Sequence, residues 1–146
     1  MRDRLFVHVV WTTRDRARLV DARVARYLDQ HLRVIARQER ARVLELGIVS
    51  THVHVLLRLH PTTAIPKLLQ RMKGATATLA NRHGHVTGRP LRWAKGYHIS
   101  SVSPRVLETA RRYVRLQGQH HPAEAIGNTN RAPAAAHESG SRERDP

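Results

Sequence analysis

Apolar residues alternate with polar ones along the first part of the chain. Between residues 5 and 12, Leu5, Val7, Val9 and Trp11 fall on one side of an extended backbone. This period of two predicts a β-strand, because successive side chains of a strand point to opposite faces. The same pattern predicts further strands at 42–49, 52–59 and 97–102.

Helical periodicity occupies the intervening segments. Asp21 is suited to cap a helix whose apolar side chains recur every three or four residues. These side chains are Val24, Tyr27, Leu28, Leu32 and Ile35. We expect Thr63 to cap a second helix, which carries the stripe Ile65, Leu68, Leu69, Met72, Thr76 and Leu79. Ser103-Pro104 is typical of a helix start and predicts a third helix that continues to about Gly118.

The predicted order is strand, helix, strand, strand, helix, strand, helix. Its first six elements match the ferredoxin-like βαββαβ arrangement. We therefore predict an α+β fold with a four-stranded antiparallel sheet, two helices on one face and an added C-terminal helix. Residues 122–146 lack apolar periodicity and are rich in small and polar residues, so we expect a domain at 1–121 followed by a disordered tail.

The composition narrows the classes of function. The chain has 146 residues, no cysteine and a formal charge of +15, which excludes disulfides, thiolate zinc sites and a cysteine nucleophile. Between Glu45 and Glu108 there is no carboxylate but there are nine Lys or Arg residues. Such a field attracts polyanions, above all nucleic acid. An arginine-rich proteome is the alternative explanation. We see no signal peptide and no membrane helix, and expect a cytoplasmic, nucleoid-associated protein.

Two histidines share one face of the third predicted strand. His52 and His54 are separated by Val53, which places the two imidazoles about 7 Å apart on the same side. Imidazole is a common metal ligand, so the pair could bind one divalent ion. The alternative is a chance pair, because the chain contains 11 histidines.

A tyrosine and a glutamine lie one turn apart on the last predicted helix. Tyr113 and Gln117 have the i, i+4 spacing that places side chains on one helical face. Tyr113 is surrounded by Arg111, Arg112 and Arg115, which suits a phenol close to a phosphate backbone. The amide oxygen of Gln117 could complete a metal site begun by two histidines. The alternative for Tyr113 is a partly buried residue at the edge of the core.

Taken together, these residues resemble the HUH transposases with a single tyrosine. That family contains small single-strand transposases of insertion sequences and the REP-associated tyrosine transposases. The resemblance covers about residues 5–121 and extends to residues 6–13, 69–74, 93–98 and 120–121. Two positions depart from it: Thr51 stands where many relatives have aspartate, and Leu116-Gln117-Gly118 stands where relatives often have Asn-Gln-Pro.

The resemblance implies a transposase that recognises hairpin DNA and cleaves and rejoins single strands. Tyr113 would attack a phosphate and form a 5′-phosphotyrosine link. His52, His54 and Gln117 would bind Mg²⁺ or Mn²⁺ and would be catalytic together with Tyr113. In the insertion-sequence members the tyrosine helix of one subunit completes the partner's site, whereas REP-associated relatives can be monomeric. Both a homodimer and a monomer therefore remain open.

Further residues are expected to contact DNA. Basic side chains could neutralise phosphates, and an aromatic ring could stack on a base. The candidates are Arg71, Lys73, Arg92, Trp93, Lys95 and Arg112. A core or loop anchor is the alternative for Trp93, and an ordinary solvated helix residue for Lys73. Tyr27 and Tyr97 are rival nucleophiles, but neither has an amide ligand four residues later.

Two other functions compete with transposition. The first is a domesticated or decayed module that binds hairpin DNA or RNA without catalysis. The second is a zinc-dependent hydrolase in which His52 and His54 act with another histidine, such as His8 or His98. The hydrolase leaves Tyr113 without a role.

Overall fold

A four-stranded antiparallel sheet forms the centre of the computed structural model, which describes residues 4–86 and 88–127. Its strands lie in the order β2-β3-β1-β4. They are β1 (Leu5–Thr12), β2 (Ala41–Ile48), β3 (His52–Leu59) and β4 (His98–Val102). The helices are α1 (Ala22–Gln38), α2 (Ile65–Arg82), α3 (Leu107–Arg115) and α4 (Gln117–His120). The predicted α+β class, the βαββαβ order and the added C-terminal helix are confirmed. Among the described residues, no helix combines the length and apolar character needed to cross a membrane.

The two faces of the sheet have different roles. Apolar side chains from one face join those of α1 and α2 in a single buried core. Its strand members include Val9, Trp11, Val53, Val55 and Leu57, and its helix members include Leu28, Leu32, Leu68, Leu69 and Met72. Because side chains alternate along a strand, the intervening residues of β1 and β3 face the other way. That second face carries the histidines and is the face that α3 covers.

The cap of α1 is as predicted, whereas that of α2 is not. The backbone N–H of Val24 donates to Asp21 Oδ1 at 2.9 Å. The predicted Thr63 cap is wrong, because α2 begins at Ile65. The Thr63 hydroxyl instead accepts from the N–H of His60 at 3.0 Å and donates to the Arg40 carbonyl at 2.9 Å. Thr63 thus closes the turn that follows β3.

The C-terminal helix is broken rather than continuous. A 3₁₀ turn at Pro104–Val106 precedes α3, and Ser103 accepts from its N-terminal turn as predicted. Leu116 then leaves the helical conformation at φ −100° and ψ 31°, and α4 follows. A single helix to Gly118 is therefore wrong, and the break redirects the chain so that Gln117 is buried.

Two arginines tie α3 to the edge strand β2. Glu45 Oε2 accepts from Arg115 at 2.9 Å and from Arg111 at 3.3 Å. A β-bulge between Val43 and Glu45 changes the register of β2 against β3. Since the bulge adds one residue, it turns Glu45 to the face that α3 covers. Arg111 and Arg115, which are near Tyr113 in the sequence, thus bind a carboxylate of the protein itself.

Gly47 permits the closest approach between α3 and the sheet. This residue of β2 lies opposite His54 of β3. A Cβ built on Gly47 would lie 2.0 Å from the Val114 carbonyl oxygen and 2.6 Å from Gln117 Cγ. Any larger residue would therefore displace the junction of α3 and α4, which carries Gln117.

The folded body continues past the predicted domain boundary. Residues 122–127, which their composition assigns to the tail, lie against the sheet. The Ser50 N–H donates to the Glu124 carbonyl at 2.8 Å, and Ile126 packs against the core. The rest of the predicted tail, residues 128–146, lies outside the described residues.

We expect Gly47→Ala to lower the free energy of unfolding by about 1–3 kcal/mol, because its methyl group overpacks the contact with Val114. Urea denaturation measures this loss. Gly74→Ala is the matched control, since nothing lies within 4 Å of a Cβ at that exposed helical position. The control should be stabilising by about 0.5–1 kcal/mol. Equal stability of Gly47→Ala and wild type would contradict the close approach.

Candidate active site

His52 and His54 lie together on the face of the sheet that α3 covers. They project from β3, where they stand opposite Thr12 and Val10 of β1. Their ring centroids are 5.1 Å apart, and both residues are buried. The i, i+2 spacing therefore places the two imidazoles in one buried site.

A third histidine, His8, contacts Nδ1 of His54. Nε2 of His8 lies 2.8 Å from Nδ1 of His54, and the two rings stack with centroids 4.9 Å apart. One of these nitrogens donates and the other accepts; when Nδ1 of His54 donates and His8 accepts, Nε2 of His54 is available to a ligand. The sequence pattern indicated His8 only as an extra zinc ligand. Strand alternation placed it on the right face, but only the register of β1 against β3 brings it to His54.

Tyr113 stands over these histidines of its own chain. Its ring centroid is 5.8 Å from that of His54, 6.1 Å from that of His8 and 4.6 Å from that of His120. The residue is 41% exposed, so its phenol is open to a substrate. Tyr27, by contrast, is buried on the other side of the sheet, where it contacts His31, and burial raises its pKa.

Gln117 is buried with an unpaired oxygen. It is 1% exposed, and its Nε2 donates to the Tyr113 carbonyl at 3.2 Å. Within residues 4–86 and 88–127, its Oε1 has no hydrogen-bond partner. An orphaned buried oxygen typically costs about 1–3 kcal/mol, so it points to a missing donor or cation. Gln117 lies near His52, because its side chain raises the pKa of that imidazole against the larger, opposite effect of burial.

Burial keeps the site's imidazoles neutral. It lowers the pKa of His54 to about 3, and the neighbouring His8 and His52 add to the shift. Burial also lowers the pKa values of His8 and His52, although the Glu124 carboxylate opposes the shift at His52. Neutral imidazole is the form that binds metals. The site thus has its nitrogen lone pairs available at neutral pH.

A second group around His52 escaped the sequence pattern. His52, His121 and Glu124 each place one ligand atom within 4.8 Å of the others. Nδ1 of His52 is 3.0 Å from Thr51 Oγ1 and 3.6 Å from Glu124 Oε1. In the sequence, the one sign of this group is the i, i+3 spacing of His121 and Glu124. The composition of the following residues assigned Glu124 to the tail, so the group was not predicted.

Two of the predicted DNA-binding residues, Arg71 and Lys73, make contacts within the protein. Arg71 donates to Glu39 at 2.9 Å. Lys73 donates to the carbonyls of Ala94 and Gly96 at 2.8 and 2.6 Å, and burial lowers its pKa. Lys73 thereby fastens the loop before β4 to α2.

The remaining candidates differ in exposure. Trp93 packs edge-on against Trp11 with ring centroids 5.8 Å apart, and its indole N–H is buried. This geometry favours the alternative of a loop anchor over base stacking. Arg92, Lys95 and Arg112 are exposed, so their charges face solvent and any approaching polyanion.

We expect the stability of the fold to decrease as the pH falls from 6.5 towards 3. Unfolded His54 takes up a proton near pH 6.5, whereas the folded residue resists protonation until about pH 3. The unfolded state therefore binds more protons in this window, and one such group lowers the unfolding free energy by up to about 1.4 kcal/mol per pH unit. Urea denaturation across this range should give a shallower slope for His54→Gln than for wild type. The same change at the exposed His83 is the matched control, and an unchanged slope in His54→Gln would contradict the assignment.

Comparison with known proteins agrees with this geometry. The family described as "Transposase IS200 like" matches residues 2–117. The ISDra2 transposase TnpA of Deinococcus radiodurans is 30% identical over 118 residues, which cover 75% of this chain and 81% of that protein. A candidate transposase from Deinococcus radiodurans R1 with a known crystal structure has a TM-score of 0.59 at 26% identity, covering 84% of this chain and 92% of its own.

A more distant structure shares the fold. A REP-associated tyrosine transposase, solved bound to a REP hairpin, has a TM-score of 0.59 at 10% identity. The match covers 81% of this chain and 68% of that one, and at this identity it speaks for the fold alone. The family match spans most of the chain, and the fold agrees with it. The chain therefore belongs to the family of IS200-like transposases.

Proposed function

We propose that this transposase cleaves and rejoins single-stranded DNA with Tyr113 as its nucleophile, beside one divalent cation bound by His52, His54 and Gln117. One observation carries the proposal. The exposed phenol and the buried, unpaired oxygen of Gln117 lie at the same pair of neutral histidines. A module that only bound DNA would not need such an arrangement.

The donor set fits a divalent cation. His52 and His54 are neutral and buried on one face, and Gln117 Oε1 lacks a partner among the described residues. Two imidazoles and an amide leave the positive charge of the ion uncompensated, which suits an anionic substrate. Because Mg²⁺ prefers an all-oxygen shell, the two nitrogen ligands favour Mn²⁺ over Mg²⁺.

The reaction needs Tyr113 to become an oxyanion. A neutral phenol is a weak nucleophile, so Tyr113 has to lose its hydroxyl proton during the attack. Its oxygen would attack phosphorus in line and lose its proton to solvent, to which the residue is open. The new phosphotyrosine bond forms as the bond to the 3′ oxygen breaks, and that oxygen takes a proton and leaves as a 3′-hydroxyl. A bound divalent cation supplies Lewis acidity to the phosphate and stabilises the leaving oxygen.

Rejoining follows by the same chemistry in reverse. A 3′-hydroxyl attacks the phosphotyrosine, the new phosphodiester forms, and the phenol is released with a proton. The bond energy is conserved in the protein–DNA link, so the exchange needs no nucleotide cofactor. Since Tyr113 and Gln117 stand at the histidines of their own chain, one subunit holds a full set of these residues. We therefore propose that the site works in cis.

Hairpin DNA is the substrate that the fold favours. The distant structural neighbour was solved with a REP hairpin, and this chain carries a formal charge of +15. We propose that Arg92, Lys95 and Arg112 contact its phosphates, because their side chains are exposed. Arg71, Lys73 and Trp93 would then act on DNA indirectly, by shaping the loop and helix that carry these charges.

We expect Tyr113→Phe to abolish a covalent protein–DNA adduct and to spare DNA binding. Phenylalanine keeps the ring packing but removes the attacking oxygen. The assay uses single-stranded oligonucleotides of both strands flanking the gene, with Mn²⁺ or Mg²⁺, resolved on denaturing gels. Tyr97→Phe is the matched control, because Tyr97 is 40% exposed, much like Tyr113, but lies just before β4 and not on α3.

Each result of this assay has a distinct meaning. An adduct in wild type and Tyr97→Phe that is missing in Tyr113→Phe supports the proposal. A normal adduct with Tyr113→Phe overturns the nucleophile. Tight hairpin binding by wild type without any adduct, with either ion, would favour the non-catalytic binding module instead.

We expect Arg112→Gln to weaken hairpin binding and to reduce the salt dependence of the binding constant by about one ion. The exposed guanidinium adjoins the nucleophile and is placed to neutralise one phosphate. Fluorescence anisotropy at several salt concentrations measures both effects. Arg37→Gln removes the same charge from an exposed position on α1, across the sheet, and should change neither. Equal salt slopes for the two variants would remove Arg112 from the interface.

A further inference from the structure

Nδ1 of His52 lies beside a hydroxyl group that can either donate or accept a proton. For Nε2 to bind a cation, the proton of the neutral ring must be on Nδ1. Nδ1 lies 3.0 Å from the hydroxyl of Thr51. A hydroxyl can donate as well as accept, so Thr51 is compatible with either tautomer. If Thr51 donates, the proton moves to Nε2 and blocks it.

Glu124 favours one of the two tautomers of His52. Its Oε1 lies 3.6 Å from Nδ1 of His52, which is longer than a hydrogen bond, and a carboxylate oxygen offers an acceptor but no proton. The same Oε1 is buried and has no hydrogen-bond partner within the described residues. A buried acceptor of this kind gains most from a proton directed at it, which favours Nδ1–H on His52.

The position of Glu124 is built into the fold. Its carbonyl accepts from the N–H of Ser50 at 2.8 Å, and its N–H donates to the His121 carbonyl at 2.9 Å. Its other carboxylate oxygen, Oε2, lies 3.5 Å from Arg16 Nη2. The carboxylate therefore has one oxygen towards Arg16 and the other towards His52, and the backbone contact comes from two residues before His52.

We propose that Glu124 is a positioning residue whose carboxylate attracts the proton of His52 to Nδ1 and leaves Nε2 to the metal ion. The inference rests on the proposed role of His52 as a ligand. It extends the site to a segment that its composition assigned to the tail. At His54, Nδ1 lies against His8 instead, an imidazole that can accept the Nδ1 proton or donate one. Outer partners of this kind typically change metal affinity about 10–100-fold.

The test uses the full chain with Glu124→Ala and Glu124→Gln. Long-range ¹H–¹⁵N NMR without metal reads which ring nitrogen of His52 carries the proton, and the EPR signal of free Mn²⁺ gives the affinity. We expect Glu124→Ala to shift His52 towards the Nε2–H form and to weaken Mn²⁺ binding at least about tenfold. Glu124→Gln should lose less, because its amide oxygen still accepts. Glu108→Ala, at an exposed carboxylate on α3, is the matched control and should change neither.

Several outcomes would overturn the inference. An Nδ1–H tautomer retained in Glu124→Ala with wild-type Mn²⁺ affinity would show that Glu124 does not position His52. A weakened affinity with that tautomer unchanged would make Glu124 a direct ligand instead. Mn²⁺ binding that His52→Ala leaves intact would overturn the proposed metal site itself, while the tautomer still reports on Glu124 separately. Wild-type amide spectra of the variants establish that they fold.

Discussion

The close approach of the C-terminal helices to the sheet is the constraint on which the site depends. It occurs at Gly47, where the absence of a side chain brings the carbonyl of Val114 and the stem of Gln117 against β2. Since Gly47 stands opposite His54, this contact sets where the phenol of Tyr113 and the amide of Gln117 meet the histidines. The helix break at Leu116 completes the arrangement, because it allows an exposed tyrosine and a buried glutamine to follow each other closely.

Burial decides the electrostatics of the site more than the overall charge does. The chain is strongly basic, and its few carboxylates are placed selectively. Glu45 holds two arginines of α3 to the sheet edge, and Glu124 lies against His52. Desolvation meanwhile holds the pKa of His54 far below its ordinary value. A basic surface favours the approach of a polyanion, while burial keeps the imidazoles neutral, as the proposed cation site requires.

Some basic residues of this transposase serve the fold rather than the substrate. Lys73 donates to backbone carbonyls of the loop before β4, and Arg71 donates to Glu39. The positive charge of a sequence thus overstates the number of phosphate contacts, since guanidinium and ammonium groups also donate well to carbonyls and carboxylates. Arg92 and Arg112, by contrast, are exposed, which is why the proposed DNA contacts rest on them.

The sequence by itself determined the local and periodic features. Alternation and helical stripes predicted the strands, the Asp21 cap and the βαββαβ order, because they depend on neighbours within a few residues. The same locality placed His52 beside His54. Only the tertiary structure decided that His8 reaches His54 and that Glu124 reaches His52, since strand register and chain return bring these pairs together from distant positions. It also decided that α3 ends at Arg115 and that the chain then packs Val114 and Gln117 against Gly47, contacts that the helical pattern alone does not predict.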